Sequence, residues 1–256
     1  MSEFDSYVIC TSPRSGSTLL CKLLIATGIA GNPESYFHEP SLASWPSGLQ
    51  LTADSTSPER EVLAGIFKTA ITEGSLDTGM FGLRLQRHSF DFFVEKLAVL
   101  HPDSSGDRER LEAAFGRTCF IHLTRRDKVE QAISYVKAHQ SGLWHQAPDG
   151  TELERLSEPQ TLAYDPDRIG ACVAEMTVDD ENWERWFEAE AILPLKITYE
   201  TFSVQPVETL RDVLNHLGLD GKAAEGVKPG VAKLADATSR EWATRFRSER
   251  GFGSPD

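Results

Sequence analysis

Positive charge is scarce in this chain. Among its 256 residues, 26 lysines and arginines face 39 aspartates and glutamates, for a net charge of −13. A surface of that sign repels nucleic acid and anionic lipid at long range, so no nucleic-acid partner is expected. Cysteine is scarce as well: there are four (Cys10, Cys21, Cys119 and Cys172), and no two are spaced as CxxC. That excludes a disulfide-stapled scaffold and reads as reduced thiols in a cytoplasmic protein. Nothing around them in the sequence would lower a thiol pKa, so no catalytic cysteine is expected. No apolar run is long enough to cross a bilayer, and no basic-plus-apolar stretch precedes a cleavage-like site near Met1. The seven histidines show no metal-ligand spacing, so no metal is expected.

What is present is an ordinary globular composition, with 40% hydrophobic and 25% charged residues. The length suits a buried core, and no repeat or linker divides residues 1–256, which read as a single domain. The acid is concentrated: ten of the net negative charges fall between Asp149 and Glu190. A ligand of negative charge therefore needs a site away from that segment.

Four short apolar runs read as strands: Ser6 to Thr11, Met80 to Gln86, Thr118 to Thr124 and Ala191 to Tyr199. Helical spacing follows or separates them, at Ser17 to Gly28, Glu59 to Glu73, Ser89 to Leu100, Arg108 to Phe115, Lys128 to His139, Arg168 to Ala191, Pro206 to Leu217 and Ser239 to Glu249. Strands alternating with helices predict an α/β fold, with a central parallel sheet flanked by helices in three layers, as in P-loop proteins. Asn32 to Pro58 reads as a Pro/Ser-rich loop.

The first strand runs into Ser12-Pro13-Arg14-Ser15-Gly16-Ser17-Thr18 and then a helix. Such a turn aims free backbone N–H groups and the positive end of a helix dipole at one spot. Gly16 permits close approach, Ser15, Ser17 and Thr18 add hydroxyls, and Arg14 adds a permanent charge. This is a cradle for a phosphate or a sulfate, with Ser15 or Ser17 expected to cap the helix. Gly16 is followed by serine and no lysine, so it is not a Walker A loop, and a kinase-like phosphotransferase lacks its phosphate lysine. The third strand repeats the geometry: it ends in Arg125 and Arg126, and Ser134 lies on the next helix. Two guanidinium groups at the C-terminal edge of a parallel sheet suit a second anionic group.

TSPRSGSTLLCKLLIATGIAGNPESYF resembles the N-terminal signature of the trehalose-sulfotransferase-like family of bacterial sulfotransferases. FIHLTRRDKVEQAISY resembles that family's second cofactor segment, and WERWF and SREWATRFR continue the likeness to about Arg247. The resemblance implies 3′-phosphoadenosine 5′-phosphosulfate (PAPS) as donor and a hydroxyl of a carbohydrate, such as a disaccharide, or of another small metabolite as acceptor. It implies that the loop from Arg14 to Thr18 holds the 5′-phosphosulfate, and that Arg125, Arg126 and Ser134 hold the 3′-phosphate. It also implies a homodimer.

One position departs from the family pattern. Where the family carries Gly-x-Pro-x-Glu-aromatic-Phe, with the Glu as proposed base, this chain reads Gly31-Asn32-Pro33-Glu34-Ser35-Tyr36-Phe37. A serine is no base at neutral pH. Glu34 is the first candidate in its place and Glu39 the second, although in an extended segment Glu34 points the other way. Arg14 would stabilise the transferred charge. Ser35, His38, Arg84 and Trp144 are candidate acceptor contacts, with a structural ion pair to the acidic helix as the equal alternative for Arg84 and Arg87. Trp183, Trp186 and Phe187 read as core, and His122 as a packed strand residue. A non-catalytic nucleotide-binding protein is the alternative that Ser35 keeps open.

Overall fold

The computed structural model describes residues 3–45, 49 and 57–251. In chain order its elements are β1 (Ser6–Thr11), α1 (Ser17–Ala26), α2 (Glu59–Ser75), β2 (Phe81–Gln86), α3 (Arg87–Leu100), α4 (Asp107–Phe115), β3 (Thr118–Thr124), α5 (Lys128–Ser141), β4 (Leu143–Gln146), β5 (Glu152–Arg155), α6 (Pro166–Ala189), β6 (Leu195–Thr198), α7 (Tyr199–Val204), α8 (Pro206–His216) and α9 (Ala237–Arg250). Part of the expected loop from Asn32 to Pro58, residues 46–48 and 50–56, lies outside the described residues.

Four strands form a parallel sheet in the order β2-β1-β3-β6. β1 is buried along its whole length, and its side chains alternate between two cores. Val8 and Cys10 face a cluster with Leu83, Leu85, Phe67, Phe93, Trp183 and Trp186. Tyr7 and Ile9 face the other, with Leu20, Leu24, Ile121, Phe202 and Leu214. The period of two that buries both faces of a central strand is what an unbroken apolar run requires. Helices α2, α3, α4 and α6 therefore cover one face and α1, α7 and α8 the other, giving the three layers expected. A third cluster, with Ile133, Ile169, Met176, Trp242 and Phe246, packs α5, α6 and α9 together.

The chain leaves β1 for β2 on one side and later returns to β3 on the other, so the sheet order reverses at β1. The crevice at the C-terminal end of such a strand is where parallel sheets bind ligands.

Three expectations need correction. The fourth strand is shorter than Ala191 to Tyr199: Ala191 has a positive φ of 51°, Leu193 is 98% exposed, and Pro194 has no N–H for the ladder. Its other end is cut at Thr198, whose hydroxyl accepts from the N–H of Thr201 and so starts α7 at Tyr199. The acidic segment does not open simply as a loop. β4 and β5 pair antiparallel around the expected Pro148-Asp149-Gly150 turn, in a ribbon whose second strand is wholly exposed and so carries no apolar alternation. Finally, neither Ser15 nor Ser17 caps α1. Gly16 is the N-cap residue, at φ 91°, and contributes no side chain.

Candidate active site

The loop after β1 is tied down from three directions. Thr11 Oγ1 donates to the Leu123 carbonyl at 2.7 Å and lies 2.5 Å from Ser15 Oγ, which explains why Ser15 is unavailable as a cap. Ser12 Oγ donates to Asp180 on α6 at 3.1 Å. Gln131 on α5, itself fully buried, donates to Ser12 Oγ at 3.0 Å and to the Pro13 carbonyl at 2.6 Å. The Trp183 indole donates to the Thr11 carbonyl at 2.9 Å. With the loop so held, Arg14 adopts a left-handed φ of 62° and Gly16 one of 91°. A Cβ on Gly16 would meet the ring of Tyr199 at 2.7 Å. The N–H groups of the first turn of α1 thus face the crevice with no capping side chain in front of them.

The Arg14 side chain reaches across the crevice. Its Nε donates to Ser134 Oγ at 3.0 Å, and a terminal nitrogen donates to the Trp144 carbonyl at 2.7 Å. Burial, and then the charge of Arg125, pull its pKa down to about 10. Arg125 is 7% exposed, donates to Glu130 at 2.8 Å and lies over the Tyr199 ring at 4.5 Å. Its Nε is buried without a hydrogen-bond partner. The two cation segments, remote in sequence, therefore meet through Arg14, Arg125 and Ser134. Arg126 stands apart: more than half of its side chain is exposed, and its nearest carboxylate is Glu200 at 3.7 Å. Asp127 is taken by Arg247 and caps α5.

Arg84, near the end of β2, builds a second polar group. It donates through Nε to Ser35 Oγ at 2.7 Å and through Nη1 to Thr18 Oγ1 at 2.8 Å. Among the described residues, its only carboxylate neighbour within salt-bridge distance is Glu34, at 3.9 Å. Arg87, by contrast, pairs with Asp91 one turn along α3 and lies over the rings of Phe90 and Trp183. Of the two arginines, Arg84 belongs to the crevice and Arg87 to the packing. His145 Nε2 lies 3.0 Å from Thr18 Oγ1 and 3.4 Å from the Glu154 carboxylate. Burial, then Arg14, Arg84 and Lys22, lower its pKa to about 3, so the unliganded imidazole is neutral.

These groups line one cavity of about 1510 Å³, walled by Arg14, Thr18, Ser35, Arg84, Arg125 and His145 among others. Ser134, His38, Glu39, Arg126 and Trp144 also reach it. Glu34 is not among its lining residues. Its backbone bridges to Leu83 as a short extended segment, and its carboxylate sits 3.7 Å from Lys22. The alternation that turns Ser35 into the cavity turns Glu34 out of it. The segment is fixed further along by Phe37, which stacks on Phe67, and by the Trp45 indole, which donates to the Glu39 carbonyl at 2.7 Å. Trp144 offers Arg14 its carbonyl, and its ring packs against His139 and Tyr135. All four cysteines are buried and free, and burial pushes their thiols up, that of Cys21 to about 11. Among the described residues, no group of three His, Cys, Asp or Glu side chains is arranged to hold a metal ion. Nor is any helix long and apolar enough to cross a membrane.

Sequence reasoning gave Tyr199, His145 and Gln86 no role in the site, having considered His145 with His139 as a metal pair and set it aside. Tyr199 could have been found as an aromatic at the C-terminal edge of a parallel strand. His145 carried no local signal, because its partner Thr18 is 127 residues away. Gln86 pairs in register with Thr11 at the same edge, lines the cavity, and leaves its buried side-chain oxygen unpartnered.

A parallel α/β protein with cations gathered at the end of its central strand is built to hold a ligand carrying separated anionic groups. Residues 6–249 match the Stf0 sulphotransferase family, and the chain belongs to that family: it is a sulfotransferase. The trehalose 2-sulfotransferase of Mycobacterium tuberculosis is 30% identical over 261 residues, covering 95% of this chain and 94% of its own. That of Mycolicibacterium smegmatis is 29% identical over 264 residues, covering 95% of each. The crystal structure of a sulfotransferase from Alicyclobacillus acidocaldarius is 15% identical, with a TM-score of 0.46, covering 97% of this chain and 93% of its own.

Proposed function

We propose that the protein transfers a sulfuryl group from PAPS to a hydroxyl of a small carbohydrate, with a disaccharide such as trehalose as the first acceptor to try. The observation that carries the donor assignment is the meeting of Arg14, Arg125 and Ser134 across the crevice from the uncapped start of α1. The buried, unpartnered Nε of Arg125 and the Gly16 cradle fit a bound anion on both sides. Arg125 and Ser134 would hold the 3′-phosphate, with Arg126 at the rim, and the Arg14 guanidinium, which belongs to the 5′-phosphosulfate loop and bonds to Ser134, would lie between the two anionic groups. The backbone of Ser15 to Thr18 would hold the 5′-phosphosulfate. Arg84 stands where charge on the transferred group would need a partner, since it faces only hydroxyls at hydrogen-bond distance.

Such a donor supplies a sulfuryl group already bonded to a phosphate that can leave. The work left to the chain is alignment and charge stabilisation, the same requirements as in phosphoryl transfer. The N–H groups of α1 and Arg84 meet the developing negative charge without having to reorganise, because Thr18 and Ser35 already fix the guanidinium. Ser35, His38, Glu39 and Trp144 line the same cavity and would face the acceptor.

The two mycobacterial relatives, both trehalose 2-sulfotransferases, support a disaccharide acceptor. The direct test incubates the protein with PAPS and a panel of disaccharides and reads products by mass spectrometry. A product heavier than trehalose by one sulfuryl group is the expected result; a panel without any sulfated product would refute the carbohydrate acceptor. The chain is also expected to pair with a second copy, as the resemblance implies, and sedimentation of the free protein tests that.

A further inference from the structure

We propose that His145 is the general base of this enzyme, taking the proton of the acceptor hydroxyl in place of the glutamate that the resemblance puts at position 35. The inference rests on the PAPS reading above and adds to it the one group that reading lacks.

The residue at position 35 is a serine whose oxygen accepts a hydrogen bond from Arg84 at 2.7 Å, so it is neither basic nor free. From Ser35 a continuous polar line runs through Arg84 to Thr18 and ends on His145 Nε2. Arg84 donates to Thr18 Oγ1, and with the imidazole proton on Nδ1, Nε2 accepts the threonine proton. Thr18 is therefore the model of an acceptor hydroxyl: an incoming alcohol that replaces it hands its proton to the same nitrogen. Among the described titratable side chains that line the crevice, His145 combines a neutral ring nitrogen with a hydrogen bond to Thr18 of the anion loop. Glu39 is exposed, and its nearest ionisable neighbour is the His38 imidazole at 3.9 Å, whose pKa burial lowers. Glu34 is outside the cavity wall and is held by Lys22. Asp179 lines the cavity, with its pKa raised to about 6 by burial and then by Glu175, but it makes no hydrogen bond with the loop.

The groups facing His145 explain how it is switched on. Arg14 from the loop, Lys22 and Thr18 from α1, Arg84 from β2 and Glu154 from β5 surround it. Burial first, and then the three cations among these groups, keep the free imidazole unprotonated. Anionic groups of the donor bound at Arg14 and Arg84 offset part of that field and raise the basicity of Nε2, while Lys22 is already paired with Glu34. Glu154, 3.4 Å away, then supports the imidazolium. In the step itself the acceptor O–H proton goes to Nε2, and the oxygen lone pair forms the new bond to sulfur. The electron pair of the sulfur–phosphate oxygen bond leaves with adenosine 3′,5′-bisphosphate, and the proton then passes to water.

The test follows the imidazole of His145 by NMR in the wild-type protein, with and without saturating adenosine 3′,5′-bisphosphate. The pKa is expected to rise from about 3 by at least two units, roughly a hundred-fold gain in proton affinity. An unchanged value would overturn the proposal. In parallel, His145→Gln should bind the bisphosphate with affinity within about three-fold of wild type, while transfer falls about a hundred-fold or more and the acid limb of its pH profile disappears. Ser35→Glu in the His145→Gln background should restore part of the rate. Full transfer by His145→Gln, or loss of transfer in Asp179→Asn alone, would contradict the assignment. Failure of the wild type to bind the bisphosphate would instead remove the donor reading, and this one with it.

Discussion

At the scale of single residues, the site depends on Gly16. It holds a left-handed φ of 91° and touches Tyr199 where a Cβ would stand at 2.7 Å. Gly16→Ala is predicted to lose about 1–3 kcal/mol through backbone strain and the clash together, read as a fall in Tm and in bisphosphate affinity. Gly16→Ala with Tyr199→Ala should recover only the steric share, because the φ penalty stays; full recovery would show that strain contributes nothing. The glycine, the serines and Arg14 were legible in the sequence because a loop of adjacent residues carries its own signal. The destination of the Arg14 side chain was not. It crosses to Ser134, 120 positions along the chain, a contact made by the order of strands in the sheet. Glu34 shows the same limit in a different form. Its carboxylate was visible in the sequence, but the face it occupies was settled by pairing with Leu83.

At the scale of elements, α6 supports the loop and the cavity wall at once. Trp183 and Trp186 lie in the main core, as their helical spacing predicts, and the Trp183 indole holds the end of β1. On another part of the same helix Asp179 lines the cavity with its pKa pushed up to about 6. An unfolded aspartate titrates near ~3.9, so between these values the folded state holds the proton more tightly than the unfolded one. The contribution of Asp179 to stability is therefore fully present at low pH and is lost as pH rises through about 6. Asp179→Asn should raise Tm at neutral pH by about 2–4 °C, and the gain should vanish below the unfolded pKa. A gain that persists in acid would place the effect elsewhere than in this carboxyl. All four strands of the parallel sheet and nearly all the helices could be read from periodicity. The ribbon of β4 and β5 could not, because its second strand is exposed on every residue and has no buried face to pattern. That ribbon carries His145, so the catalytic proposal rests on the element that the sequence reading missed.

At the scale of the whole molecule, a net charge of −13 coexists with a crevice that gathers Arg14, Arg84 and Arg125. Much of the acid lies between Asp149 and Glu190, in the ribbon and α6. Holding three guanidinium groups near one another without an anion costs stability, and a bound phosphate relieves it. Adenosine 3′,5′-bisphosphate at a hundred times its Kd should therefore add about 2.7 kcal/mol, seen as a rise in Tm that a metal chelator leaves unchanged. A rise abolished by the chelator would reveal a metal requirement.

Calorimetric titration of adenosine 3′,5′-bisphosphate into the wild-type protein and into Arg14→Ala and Arg125→Ala tests the central claim most directly. Each arginine offers charged hydrogen bonds worth about 1.5–3 kcal/mol. The account predicts saturable one-to-one binding by the wild type, weakened roughly ten- to a hundred-fold by either substitution. Absence of binding by the wild type, or equal binding by all three proteins, would mean that the crevice formed by Arg14, Arg125 and Ser134 is not the donor site.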